Sequence, residues 1–401
     1  MSKLGCLAVL SFVIGGCVSD GTDGPTGPEG PEGTDGTNGT DGAMGGAGPI
    51  GPEGPRLALP GVYTLANANG VNEVAAYVRA SNGSLSRRGR FDTGGAGIGS
   101  GLGSQGSIVF DAKLQRFFGV NTGDNTISML AIDADGNLAR MATVASGGTR
   151  PVSITVHGDA VYVANQGQLT GTPVSANISG FRVQENNLIA IAGSTRPLSA
   201  AGDVRPTNIA FTPNGRFLVV AERFAHRLST FEVVNGVAQA GNFQNSSGMQ
   251  PFAFDFSPEG NLVVAEVGAV GANGSSVSSY SISATGALTP ITAALATNQT
   301  AACWLVMAGG YAYVANAASA TITGVVVSET GALTLHEPSG ITTATGSGAI
   351  DLAVTPDRGF LYSLAGSPRA IHIFAISADG ALTAMAPLPG VSATAAGLVA
   401  R

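Results

Sequence analysis

The sequence predicts an all-β chain: a seven-bladed β-propeller closed by its own C-terminal strand and preceded by a collagen-like Gly-X-Y spacer. Three observations predict it. Hydrophobic strands ending in a small polar residue recur seven times, at Asn67, Asn121, Asn165, Glu222, Glu266, Asn316 and Ala365, with spacings of 44 to 57 residues. Seven turn dipeptides follow in phase with those strands. Glycine occupies every third position from Gly21 to Gly54 without a break.

The elements are justified in chain order. Residues 1–17 carry one cation, Lys3, then an apolar run from Leu4 to Ile14 that is too short to span a bilayer and fits a signal segment. The run ends in Ile14-Gly15-Gly16-Cys17, an aliphatic residue, two small residues and a cysteine, which resembles a bacterial lipobox. Cys17 is therefore the expected lipidation site, and the membrane, reached through this anchor, the expected partner. By resemblance to the enterobacterial lipoprotein sorting rule, Val18 after the cysteine implies the outer membrane or cell surface within the cell envelope.

Residues 18–56 form the spacer. Twelve Gly-X-Y triplets suit a triple helix, where only hydrogen fits at the axis. Prolines lie in the outer triplets and are missing from the five middle ones. Two readings stay open: a homotrimer through this segment, and a solvated, extended monomeric spacer reaching about 110 Å.

Residues 57–401 are long enough for one large all-β domain. Its turns are read as two-residue hairpins at Asn82-Gly83, Asp135-Gly136, Asn186-Asn187, Asn235-Gly236, Thr285-Gly286, Thr330-Gly331 and Asp379-Gly380, residues that accept positive φ at low cost. An innermost strand precedes six of the units, for example Asn208 to Phe211 and Leu352 to Val354. The first unit lacks one, and Ala396-Gly397-Leu398-Val399 is expected to pair in front of Val62 to Ala66 and close the ring.

Composition narrows the function. Net charge is −7, and residues 1–56 hold seven acids against Lys3 and Arg56, so the propeller is nearly neutral. No basic stripe exists to neutralise phosphates, which argues against nucleic acid. The three cysteines, Cys6, Cys17 and Cys303, have no metal-ligand spacing, and Cys303 is expected in the core. No histidine pair suggests zinc, and no P-loop, Rossmann fingerprint or GxSxG elbow appears. Neither a metal nor a cofactor is expected.

The segments RPTNIAFTPNGRFLVVAE, QPFAFDFSPEGNLVVAEVG and ATGALTPI, with AACW leading into AYVAN, resemble the lactonase family of seven-bladed propellers, over residues 57 to 401. That family includes bacterial 6-phosphogluconolactonases and fungal carboxymuconate cycloisomerases. The resemblance implies a polar site at one mouth of the ring made of a histidine, two arginines and a glutamate. The glutamate matches Glu222. The family's Pro-Arg-His element reads Pro206-Thr207-Asn208, its Asn-Arg reads Glu266-Val267, and its histidine position reads Gln105-Gly106-Ser107. The carboxylate is kept and the matched cations are lost, although lactone chemistry needs a base and an oxyanion partner.

Glu222 is thus the candidate catalytic residue. Arg205, Arg223, Glu266, Asn165, Asn316 and Asp351 are the ligand-binding candidates, and Arg205 is expected to pair with Glu222. The alternative for Glu222 and Glu266 is that each caps a strand end and bonds the neighbouring loop. His226 is a second possible base, and Trp304 is expected in the core. The sequence favours a small-molecule or protein binder with weak or lost catalysis over an extracytoplasmic lactone hydrolase or cycloisomerase.

Overall fold

The computed structural model describes residues 59–168, 172–269, 271–367 and 369–401. The signal segment, Cys17 and the Gly-X-Y spacer lie outside the described residues.

Among the described residues thirty strands form seven antiparallel sheets, each a blade. Blade 1 takes three strands from the start of the domain, Gly61–Leu65, Gly70–Arg79 and Leu85–Gly97, and its innermost strand from the end, Ala396–Ala400. Val62 pairs with Ala400, Tyr63 with Val399 and Leu65 with Ala396. Reciprocal backbone bonds between Gly61 and Arg401, 2.9 and 3.1 Å, complete the seam. The expected closure is what the ring adopts.

The burial pattern explains the strand sequences. The second strand of each blade is sandwiched between neighbouring blades, so both of its faces are dry. Phe217–Glu222, Leu262–Glu266 and Ala160–Asn165 are buried at every position, which is why they read as continuous apolar runs rather than alternations. Outer strands such as Leu288–Ala296 face solvent and carry mostly exposed residues.

The turns differ from the two-residue expectation at five blades. Around Gly83, Gly136, Gly286, Gly331 and Gly380 the glycine N–H returns to a carbonyl three residues back, and only the glycine has positive φ, 79 to 85°. These are three-residue loops, a type I turn closed by a glycine bulge. The side chains of Ser283, Ser328, Asp133 and Asp379 accept the N–H groups of Ala287, Ala332, Asn137 and Ala381 and draw four of them tight. Blade 4 keeps the two-residue form, with Asn235 and Gly236 both at positive φ between Val234 and Val237. Blade 3 turns one residue earlier than expected, at Glu185-Asn186, because Gln184 pairs with Asn187.

The phasing of turns and strands has a cause. A hydroxyl in each of five blades donates to the turn-glycine carbonyl of the next. Tyr162 reaches Gly236, Thr230 reaches Gly286, Ser279 reaches Gly331, Tyr313 reaches Gly380, and Tyr362 crosses the seam to Gly83, all at 2.6 to 2.8 Å.

Candidate functional site

The polar residues that end the second strands gather at one face of the ring, but they point between blades. Asn121, Asn165, Glu222, Glu266 and Asn316 are all fully buried. Each bonds a hydroxyl in the third strand of its own blade: Ser128, Ser179, Ser229, Ser278 and Thr323 respectively. Asn121, Asn165, Glu222 and Glu266 also bond the end of the preceding blade, so these four are interblade latches.

The choice of carboxylate or amide follows the partners. Glu222 accepts from the Ser199 N–H at 3.1 Å, the Ser199 hydroxyl at 2.5 Å and the Ser229 hydroxyl. Glu266 accepts from Ser246 at 2.7 Å, the Gly248 N–H at 2.7 Å, Ser276 at 2.6 Å and Ser278 at 2.9 Å. Both are surrounded by donors, which a carboxylate alone satisfies. Asn165 instead donates to the Ser146 carbonyl. Gly248 is required, since a Cβ there would lie 2.0 Å from a Glu266 oxygen. Burial holds the Glu222 carboxyl above its ordinary range, and the Ser199 and Ser229 hydrogen bonds oppose that shift.

This geometry leaves Glu222 no open side for a substrate. The expected Arg205–Glu222 pair does not form. Arg205 clasps Asp203 in a bidentate pair, 3.1 and 2.6 Å, two residues away and on the open face. Two guanidiniums lie over the exposed Phe224 ring, Arg205 at 4.8 Å and Arg223 at 5.2 Å. Arg223 also bonds Gln250 at 3.0 Å. Burial lowers its pKa. His226 accepts the Gln250 N–H at Nδ1, 3.0 Å, which occupies one ring nitrogen.

The axial channel is blocked. The Gln105 side chain spans it from blade 2. It donates to the Leu305 carbonyl at 2.8 Å and accepts the Leu305 N–H at 3.0 Å, in blade 6. Its own N–H donates to the Thr207 carbonyl in blade 4 at 2.8 Å. Trp304, buried against Phe252, donates to the Ser104 carbonyl at 2.9 Å. The position where the resembling family carries a histidine is here a crosspiece. Beside it the Cys303 thiol is buried and free, its pKa pushed up to about 12 by burial.

The open site lies off-axis on the same face. A groove of about 630 Å³ runs over blades 2 to 4. Arg150, Arg205 and Asp203 line it with Thr122, Asn125 and Gln166. Arg150 and Arg205 stand at equivalent positions, each just before a proline that starts an innermost strand, and both have left-handed backbones, φ 58° and 48°. A third such residue, Gln250, has φ 58°. Long polar side chains held where glycine would sit without strain are thereby aimed off the strand ends. The Arg150 side chain has no ion pair among the described residues.

Of the remaining candidates, Asn165 is a latch residue, Asn316 bonds Thr321 and Thr323 within its own blade, and Asp351 lies near the opposite end of the channel, below Gln105. Among the described residues no group of three or more His, Cys, Asp or Glu side chains converges as a metal site. Arg150, Asp203, Thr122 and Gln166 escaped the sequence reading. The recurring long-side-chain-then-proline pair at 150, 205 and 250 was the available signal.

Residues 174–307 match a family model described as lactonase, seven-bladed β-propeller. Over those residues the chain is similar to the lactonase family, and the seven-bladed propeller fold agrees with that likeness. Among solved structures, a putative 6-phosphogluconolactonase from Bacteroides uniformis is similar at 18% identity and a TM-score of 0.64, covering 84% of this chain and 98% of that one. The periplasmic gluconolactonase of Pseudomonas aeruginosa is similar at 16% identity and a TM-score of 0.66, covering 85% and 98%. A streptogramin B lyase is similar at 14% identity and a TM-score of 0.52, covering 74% and 87%. At these identities the likeness is one of fold. No curated protein sequence matches the chain.

Proposed function

We propose that the protein is a lipid-anchored cell-surface propeller that binds a small polyhydroxylated anion, of the sugar-acid class, in the groove over blades 2 to 4, without turning it over. The observation that carries this reading is the pairing of two arginines, Arg150 and Arg205, with a lining of amides and hydroxyls. Guanidiniums suit a carboxylate, and amide and hydroxyl groups suit a polyol. The latches support the reading without catalysis. Glu222 and Glu266 have their acceptor capacity taken up by donors, and Gln105 closes the axial mouth.

A second reading, sugar-lactone hydrolysis, is favoured by the gluconolactonase among the similar structures. In the groove its base would have to be Asp203, which Arg205 holds in a bidentate pair. The test is direct. Gluconate binding is measured by calorimetry, and turnover of δ-gluconolactone is followed at neutral pH. Saturable binding that Arg205→Ala weakens, with no turnover above the uncatalysed rate, supports a binder. Turnover abolished by Asp203→Asn overturns it. The anchor is tested separately, because Cys17→Ser releases the protein from membranes if acylation holds it there.

A further inference from the structure

A cavity of about 290 Å³ occupies the channel on the far side of Gln105 from the groove. Asp255 and Asp351 line it together with Gln105, Val306 and Met307. Neighbouring axis-facing residues show what such positions need. Ser153, Thr155 and Asn208 each accept one N–H from the innermost strand of the next blade, at 3.0, 3.2 and 3.1 Å. They lace the strand edges along the channel, and all are neutral. Asp255 does the same work, accepting the Met307 N–H at 2.9 Å and the Phe256 N–H at 2.8 Å. Asp351 accepts the Leu352 N–H at 2.8 Å, and the Gly397 N–H of the closing strand also faces its carboxyl. An asparagine suffices for this lacing, as Asn208 demonstrates, so the charge on both residues is surplus to it.

A second observation concerns Asp351 alone. It is only 2% exposed, and its Oδ2 has no hydrogen-bond partner. Neither aspartate has an ion pair among the described residues. A buried oxygen without a partner, in a cavity that a second carboxylate also lines, is a polar group that a bound cation would satisfy.

We propose that this cavity binds a hard divalent cation, Ca²⁺ by its all-oxygen chemistry, through the carboxylates of Asp351 and Asp255, with water completing the shell. Two carboxylates are few for Ca²⁺, which places the affinity in the range of extracellular modules, roughly 0.1 to 1 mM. Bound, the ion joins blades 5 and 7 across the channel, on the side of the ring that the groove does not use. The inference stands apart from the sugar-acid reading.

The probe is Tb³⁺, with Ca²⁺ as competitor, on the full chain. Trp304, the lone tryptophan, neighbours Leu305, whose backbone Gln105 grips as it roofs the cavity, so it is placed to sensitise bound Tb³⁺. The expected result is saturable sensitised emission that Ca²⁺ displaces. Asp351→Asn and Asp255→Asn each weaken it at least tenfold, and Asp379→Asn, on an exposed turn, leaves it unchanged. Ca²⁺ also raises the melting temperature of the parent and not of Asp351→Asn. Since asparagine keeps an acceptor oxygen for the lacing bond, both variants fold. Should one not fold, the other carries the test. Absence of saturable emission, or emission that both aspartate variants retain, overturns the proposal.

Discussion

Replacing Glu266 by alanine tests the latch reading most sharply. The side chain receives hydrogen bonds from Ser246, Gly248, Ser276 and Ser278, and Gly248 contributes a backbone N–H that cannot rotate away. Leaving that N–H buried and unpaired costs about 1–3 kcal/mol, and each hydroxyl that loses its acceptor costs about 1 kcal/mol where it finds no other. The sum for Glu266→Ala is about 3–5 kcal/mol. For a domain of about 340 residues, unfolding entropy converts each kcal/mol into roughly 1.4 °C, so the melting temperature falls by about 4–7 °C. Glu266→Gln keeps the oxygen facing Gly248, and the serine hydroxyls rotate to accept from the new amide. Its loss is about 1–2 kcal/mol. The assay is calorimetric unfolding of both variants, with a Ser278→Ala cycle to isolate coupling. A Glu266→Ala protein melting within 1 °C of the parent, or a glutamine variant as damaged as the alanine one, would refute the latch.

Other outcomes follow from the same geometry. Arg205→Ala weakens sugar-acid binding about 10- to 100-fold through the lost charge-assisted bonds, measured by calorimetry. Gln105→Ala opens the axis and removes its bridge to Leu305, so amide exchange at Leu305 accelerates while the distant Val219 amide is unaffected. Burial raises the carboxyls of Glu222, Asp255 and Asp351 above their ordinary values, Asp351 well above. The folded state then binds more protons than the unfolded one between the two pKa values. Their contribution is complete below the unfolded value, near 4, and declines as pH rises through the folded values. In chelator, Asp351→Asn flattens this decline and melts above the parent at pH 8, as urea titrations across pH would show. Cys303, with its pKa raised to about 12, stays unreactive to a thiol reagent in the native protein and reacts on unfolding.

Much of the fold was legible because its physics is local and periodic. Continuous apolar runs marked strands buried on both faces, and glycine-bearing turns recurred at blade pitch. The missing first strand in the arithmetic pointed to Ala396–Ala400. The latch was half legible. Glu222 and Glu266 were recognised as equivalent, yet the hydroxyl seven residues after Asn121, Glu222 and Asn316 went unread as their partner. A strand-end carboxylate looks the same in sequence whether it faces solvent or a neighbouring blade, and only the packing of serines from the preceding blade decides. The groove was the least legible part. Its residues come from loops of several blades, and the left-handed backbones of Arg150 and Arg205 that aim them leave no hydrophobic period.

The ring has a clasp. Six blades are each spun from one unbroken stretch of polypeptide, while the first borrows its innermost strand from the opposite end of the chain. Tension applied at Leu59 therefore meets backbone hydrogen bonds between Gly61–Leu65 and Ala396–Ala400, backed by the Tyr362 hydroxyl bond to Gly83, before it meets any covalent connection to the last blade. Under load, the circle parts at that joint, and the other six sheets need not yield for it to do so.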